Sequence, residues 1–134
     1  MEPILVDTSV WIDWFKGVGT PQTNRIATYL MADYPIWIAP VILQETLQGV
    51  REDVQYELVR SSLLALEQFQ ADPFDMAIAA ATTYRTLRKQ GITIRKANDC
   101  LIAQYALMSG MTLLHNDTDF ELIASKTALR VSRL

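Results

Sequence analysis

The chain has 134 residues, half of them apolar and a fifth charged, the balance of a globular domain with a full hydrophobic core. Its formal net charge of −3 gives no global basic field toward nucleic acid, although an acidic pocket can mask a basic remainder. One cysteine and one histidine exclude an intrachain disulfide and argue against structural zinc. No leader and no bilayer-length apolar run is visible, so a soluble, cytoplasmic chain without a membrane partner is expected.

Ile4-Leu5-Val6 is a continuous apolar run that suits a strand covered on both faces. Asp7-Thr8-Ser9 marks the strand's C-terminal edge and the start of an amphipathic helix, with Trp11 and Phe15 four residues apart on its core-facing stripe. Gly17 to Pro21 interrupts that helix, and Thr20 with Pro21 opens the next. Ile36 to Ala39 reads as a second strand, followed by a helix from Pro40 to Gly49 that carries Glu45. A helix over Asp53 to Leu66 is expected to carry Val54, Leu58, Ser61 or Ser62 and Ala65 along one side, and the poorly patterned Leu66 to Phe69 is a third strand.

Asp72-Pro73 starts a long helix that ends in Arg85, Arg88 and Lys89 before Gly91, with cations where the helix dipole favours them. Ile92 to Lys96 is a basic, extended connection. Asn98-Asp99 opens a helix running to Ser109 that is apolar on nearly every face and therefore belongs in the middle of the fold. Met111 to Leu114 is a fourth strand, His115 to Phe120 leads from it into a last helix, and Leu129 to Val131 is a final strand. Strands alternating with helices, without repeats or dividing linkers, imply one α/β domain over residues 1–134 on a short, mostly parallel sheet.

This order puts carboxylates at one end of the sheet: Asp7 after the first strand, Glu45 on the helix after the second, Asp99 at the head of the buried helix, and Asp117 with Asp119 after the fourth. Each alone reads most simply as a helix cap, a dipole partner or a solvent-facing acid. As a cluster they repel, by roughly 4 kcal/mol for two charges about 4 Å apart at an effective dielectric of about 20, and so call for a cation. An all-oxygen donor set selects Mg²⁺ or Mn²⁺, which can activate water against a phosphate ester. In that case Thr8 and Ser9, rather than Asp7, are expected to cap the first helix.

Asp7-Thr8-Ser9-Val10-Trp11-Ile12-Asp13, Gln44-Glu45, Asn98-Asp99-Cys100-Leu101-Ile102-Ala103 and Asn116-Asp117-Thr118-Asp119-Phe120 together resemble a PIN domain, most closely the VapC-type toxin nucleases. The resemblance spans essentially the whole chain. It implies a three-layer α/β fold with helices on both sheet faces and a metal-dependent endoribonuclease inhibited by a co-expressed antitoxin and commonly dimeric. It further implies that Asp7, Glu45, Asp99 and Asp117 form the catalytic, metal-holding quartet, with Asp119 auxiliary and the Thr8 and Ser9 hydroxyls in support. His115 departs from the pattern, which has a small hydroxyl residue two places before the acid. Without the five acids the formal charge becomes +2, so the acidic total does not argue against RNA, and Arg85, Arg88, Lys89, Arg95 and Lys96 are candidate phosphate contacts.

Two other activities fit acids at strand ends. A receiver-like signalling domain requires an acceptor aspartate after the third strand, and a phosphatase with Asp7 as nucleophile usually requires a second acid where this chain has Ser9.

Overall fold

In the computed structural model, which describes residues 1–134, the first apolar run forms strand β1 (Ile4–Val6). Successive strand residues point to opposite faces, and all three are at most 2 % exposed, so both faces of the sheet are covered at its centre. The sheet has five strands in the order β3-β2-β1-β4-β5, where β2 is Ile36–Ile38, β3 Glu67–Gln68, β4 Thr112–Leu114 and β5 Arg130–Val131. Every pairing is parallel, with Ile4 opposite both Ile36 and Thr112. From β1 the chain winds outward to β2 and β3, then returns to the other side for β4 and β5. The winding therefore reverses between β1 and β4, and a crevice opens at the carboxyl ends of these two strands.

Seven helices connect the strands: α1 (Thr8–Lys16), α2 (Pro21–Met31), α3 (Pro40–Gln48), α4 (Asp53–Leu64), α5 (Pro73–Lys89), α6 (Asn98–Ser109) and α7 (Thr118–Lys126). Their starts follow local chemistry. Thr20 and Thr23 form a reciprocal capping box ahead of α2, and the Asp72 carboxylate accepts the Phe74 and Asp75 N–H groups at the head of α5. Gly17 and Gly110 end α1 and α6 in the left-handed conformation, at φ 73° and 66°. Within α1, Trp11 stacks on Phe15 with ring centroids 5.8 Å apart, and Val10 and Trp11 are the residues this helix buries. The α6 helix is central as expected, with Asp99, Cys100, Ile102, Ala103, Tyr105 and Ala106 all buried. Cys100 is a buried core residue, and its thiol is pushed up to about 11, first by that burial and then by Asp99 and Asp119.

Two expectations are corrected. The α4 helix buries Val59 and Leu63, while Val54 and Leu58 are 85 % and 57 % exposed, so it sits on the opposite stripe. Both stripes have helical spacing, and only packing against the rest of the fold chooses between them. The third strand is reduced to Glu67–Gln68, two exposed edge residues paired to Trp37 and Ile38 through backbone alone. Phe69 lies outside it and packs on Trp37 and Tyr105, at 4.9 and 5.2 Å between centroids.

Candidate active site

β1 delivers Asp7 to the crevice, and the Asp7 N–H donates to the Leu114 carbonyl of β4 at 2.9 Å. This bond continues the ladder by one residue and fixes the acid against the neighbouring strand. Asp7 itself caps α1: its Oδ2 accepts the Ser9 N–H at 3.0 Å and the Ser9 hydroxyl at 2.6 Å. Thr8 and Ser9 therefore do not take over the capping, contrary to expectation, because a two-oxygen carboxylate can serve the helix and still face the crevice. The Ser9 hydroxyl also accepts the Asn116 N–H at 3.1 Å, joining the β1 and β4 ends through one oxygen.

Glu45 reaches the same region from the second turn of α3. The Thr8 hydroxyl donates to its Oε1 at 2.8 Å and the Asn98 side-chain amide to its Oε2 at 3.4 Å. Of the two hydroxyls expected to support the first acid or bound water, Ser9 bonds Asp7, whereas Thr8 bonds Glu45 instead.

Asp99, Asp117 and Asp119 form the tightest group, each offering a carboxylate oxygen within 4.8 Å of the others. Asp7 and Glu45 lie beside this group rather than within it. Asp117 caps α7 through the Asp119 N–H at 3.0 Å, which places Asp119 one helical step inside the crevice. Asp119 is 2 % exposed and Asp99 4 %, and each has a buried Oδ2 with no partner. Unpaired buried carboxylate oxygens are costly, and two of them aimed at one acidic cluster fit a bound cation.

Burial, then the charges of Asp7 and Asp117, pushes the Asp99 carboxyl up to about 7. Burial also raises Asp7, against the lowering effect of its Ser9 and Thr8 hydrogen bonds, and Glu45 adds to the rise. Asp117 moves the other way: burial alone would raise it, but the Lys96 and Asp119 hydrogen bonds with the Lys96 and Arg95 charges hold it below the usual carboxylate range. The Lys96 ammonium lies 2.8 Å from Asp117 Oδ2, and its own pKa rises, chiefly through that bond. Arg95 Nε lies 3.4 Å from Asp119.

The sequence of residues 4–126 matches the PIN domain family model. The chain is 32 % identical over 130 residues to Ribonuclease VapC11 of Mycobacterium tuberculosis, covering 96 % of this chain and 97 % of the relative, and equally to a VapC ribonuclease of Mycobacterium bovis. The chain belongs to the PIN-domain family, among its VapC proteins. Its fold is that of a chain in the VapBC2 structure from Rickettsia felis bound to a promoter DNA fragment, with a TM-score of 0.74, 18 % identity and 97 % of each chain covered. It is also that of VapC20 from M. tuberculosis, a sarcin-ricin loop cleaving toxin, with a TM-score of 0.64, 17 % identity, and 95 % of this chain and 98 % of that one covered.

All five acids of this PIN domain thus gather at the sheet's reversal point. Of the five candidate phosphate cations, the structure brings Arg95 and Lys96 onto the acids. Arg85, Arg88 and Lys89 stay exposed at the end of α5, where the Arg88 guanidinium lies over the Tyr84 ring at 5.7 Å. The role of Asn98 is not legible in the sequence. It neighbours Asp99 in the chain, but nothing there indicates that its amide crosses to Glu45 on α3.

Proposed function

We propose that this PIN domain is a divalent-metal-dependent endoribonuclease that acts as the toxin of a toxin–antitoxin pair. The observation that carries the reading is the convergence of Asp99, Asp117 and Asp119 within 4.8 Å, with Asp7 and Glu45 alongside, at the one place where a parallel sheet of this order opens a crevice. Asp7, Glu45, Asp99 and Asp117, with Asp119 as auxiliary, would hold the ion, for which Mg²⁺ or Mn²⁺ suits an all-oxygen set. When bound, such an ion polarises a phosphoryl oxygen and makes water a better nucleophile at neutral pH.

The chain's own contribution is placement and charge. Ser9 orients Asp7, and Thr8 with Asn98 orients Glu45, so two acids are fixed on rigid element ends before any ligand arrives. Arg95 and Lys96 pair with Asp119 and Asp117 and bring positive charge to the edge of the acid cluster, where an RNA phosphate could be met. Residues 1–134 act as a single nuclease domain in the cytoplasm, partnered by an antitoxin that silences it and by a second copy of itself. No helix is long and apolar enough to cross a membrane.

The test is cleavage of a defined RNA with Mg²⁺ or Mn²⁺, repeated with chelator and with Asp7→Asn. Activity is expected only in the wild type with metal, and cleavage that survives both changes defeats the proposal.

The two alternatives fit less well. A receiver-like domain carries its strands in the order 2-1-3-4-5, whereas this sheet runs 3-2-1-4-5, and β3 ends at Gln68, followed by Phe69-Gln70-Ala71 with no aspartate at the strand's carboxyl edge. In an aspartate-nucleophile phosphatase the residue two after the nucleophile acts as the acid. Here it is Ser9, whose hydroxyl is bonded to Asp7 itself.

A further inference from the structure

His115 is the only histidine in the chain, and no role in the acid site has yet been given to it. It stands between the end of β4 and Asp117, in the turn that aims two of the acids. The backbone N–H groups of that turn are tied one after another. Asn116 donates to the Ser9 hydroxyl at 3.1 Å, Asp117 to His115 Nδ1 at 3.1 Å, and Asp119 to Asp117 Oδ1 at 3.0 Å.

For Nδ1 to accept, it must carry a lone pair, so the ring proton belongs on Nε2. Nε2 lies 3.3 Å from Glu121 Oε1 on α7, a carboxylate whose charge favours the proton on that nitrogen. The His115 side chain is only 9 % exposed, and its ring packs on the wholly buried Phe120 with centroids 5.3 Å apart. A turned-over ring would give up the Asp117 N–H at Nδ1 and the carboxylate facing Nε2. A metal ligand or general acid needs one nitrogen open toward the crevice, and this ring offers neither.

We propose that His115 is a positioning residue for Asp117, its Nδ1 serving as the fixed acceptor for the Asp117 N–H and its tautomer favoured by the Glu121 carboxylate beside Nε2. The proposal rests on Asp117 belonging to the active site. A rigid aromatic ring here does what an Asx-type side chain does in other turns, since both reach the N–H two residues on. The consequence reaches two acids, because Asp117 Oδ1 in turn caps the N–H of Asp119. Slack at Asp117 is slack at both.

The test separates the acceptor from the ring. His115→Phe keeps the packing on Phe120 and removes the acceptor, whereas His115→Asn removes the ring and keeps an acceptor within reach of the Asp117 N–H. Mn²⁺ affinity by calorimetry, without RNA, and the kcat and KM for RNA cleavage are measured for both, with Tm as a control for folding. His115→Phe is expected to lose roughly tenfold in Mn²⁺ affinity and in kcat with KM little changed, as outer residues around a metal site do, and His115→Asn to recover most of that loss. A wild-type-like Phe variant, or an Asn variant no better than Phe, overturns the proposal. The imidazole ¹⁵N spectrum contains one histidine and is read on the wild type alone: a protonated Nε2 and bare Nδ1 support the tether, and the opposite tautomer overturns it. That measurement involves neither metal nor RNA, so it judges the tether even if the nuclease reading fails.

Discussion

Asp99 is the residue whose chemistry is furthest from ordinary. Its carboxyl sits buried at the head of a buried helix with one oxygen unpartnered, and burial followed by the charges of Asp7, Asp117 and Asp119 pushes its pKa up to about 7. It is therefore harder to ionise in the folded chain than in the unfolded one, where the ordinary value is 3.8. Its contribution to stability is complete below that ordinary value and is lost as pH rises through about 7. Metal-free protein is expected to lose Tm across this window, and Mn²⁺ at pH 8 to restore it, as thermal melts with and without chelator will show. Asp99→Asn removes the buried charge. It is expected to abolish Mn²⁺ binding and yet to raise the metal-free Tm at pH 8, by on the order of 1 kcal/mol or about 4 °C. Lys96 acts in the opposite sense. Its ammonium occupies Asp117, but the side chain is 62 % exposed, so the pair is well screened and easily exchanged. In Lys96→Met, Mn²⁺ affinity is expected to rise roughly two- to fivefold, in proportion to a pair of this exposure. RNA affinity is expected to fall and its salt slope to drop by about 1, read from binding isotherms at several salt concentrations.

At the scale of elements, the legible features were those written in local chemistry. Asp72-Pro73, Thr20-Pro21 and Pro40 announce helix starts because a cap and a fixed φ need no distant partner, and each helix begins there. The apolar run Ile4 to Val6 and the almost wholly apolar α6 likewise dictate burial unaided. What was illegible depended on neighbours far away in the chain. The α4 helix carries two apolar stripes four residues apart, Val54 with Leu58 and Val59 with Leu63, and only the site of docking selects the second. β3 has no side-chain pattern because both its residues are exposed and its pairing is all backbone. The site was legible as a set of acids at strand and helix ends. The dual duty of Asp7 was not, since one carboxylate that caps a helix and one that faces a crevice look the same in a sequence. Caps distant from the acids are expected to matter for stability alone. Asp72→Ala frees the Phe74 and Asp75 N–H groups and is expected to cost about 1 kcal/mol in denaturant unfolding. Mn²⁺ affinity should be unchanged, because α5 contributes no acid to the cluster.

At the scale of the whole molecule, the sheet order sets the order in which the site is completed. β1 lies at the start of the chain and β4 near its end, and the bond between Ser9 and Asn116 closes a span of 107 residues. During synthesis the N-terminal half of the site emerges first and waits. Asp7 and Glu45 leave the ribosome long before Asp117 and Asp119, and until β4 docks, β1 has only β2 as a neighbour. Contacts this distant in the chain form late, after the closure of a long loop. A translating ribosome, itself built of RNA, therefore carries this chain through most of its synthesis in a form that lacks the acid cluster, and a chain released early never acquires it.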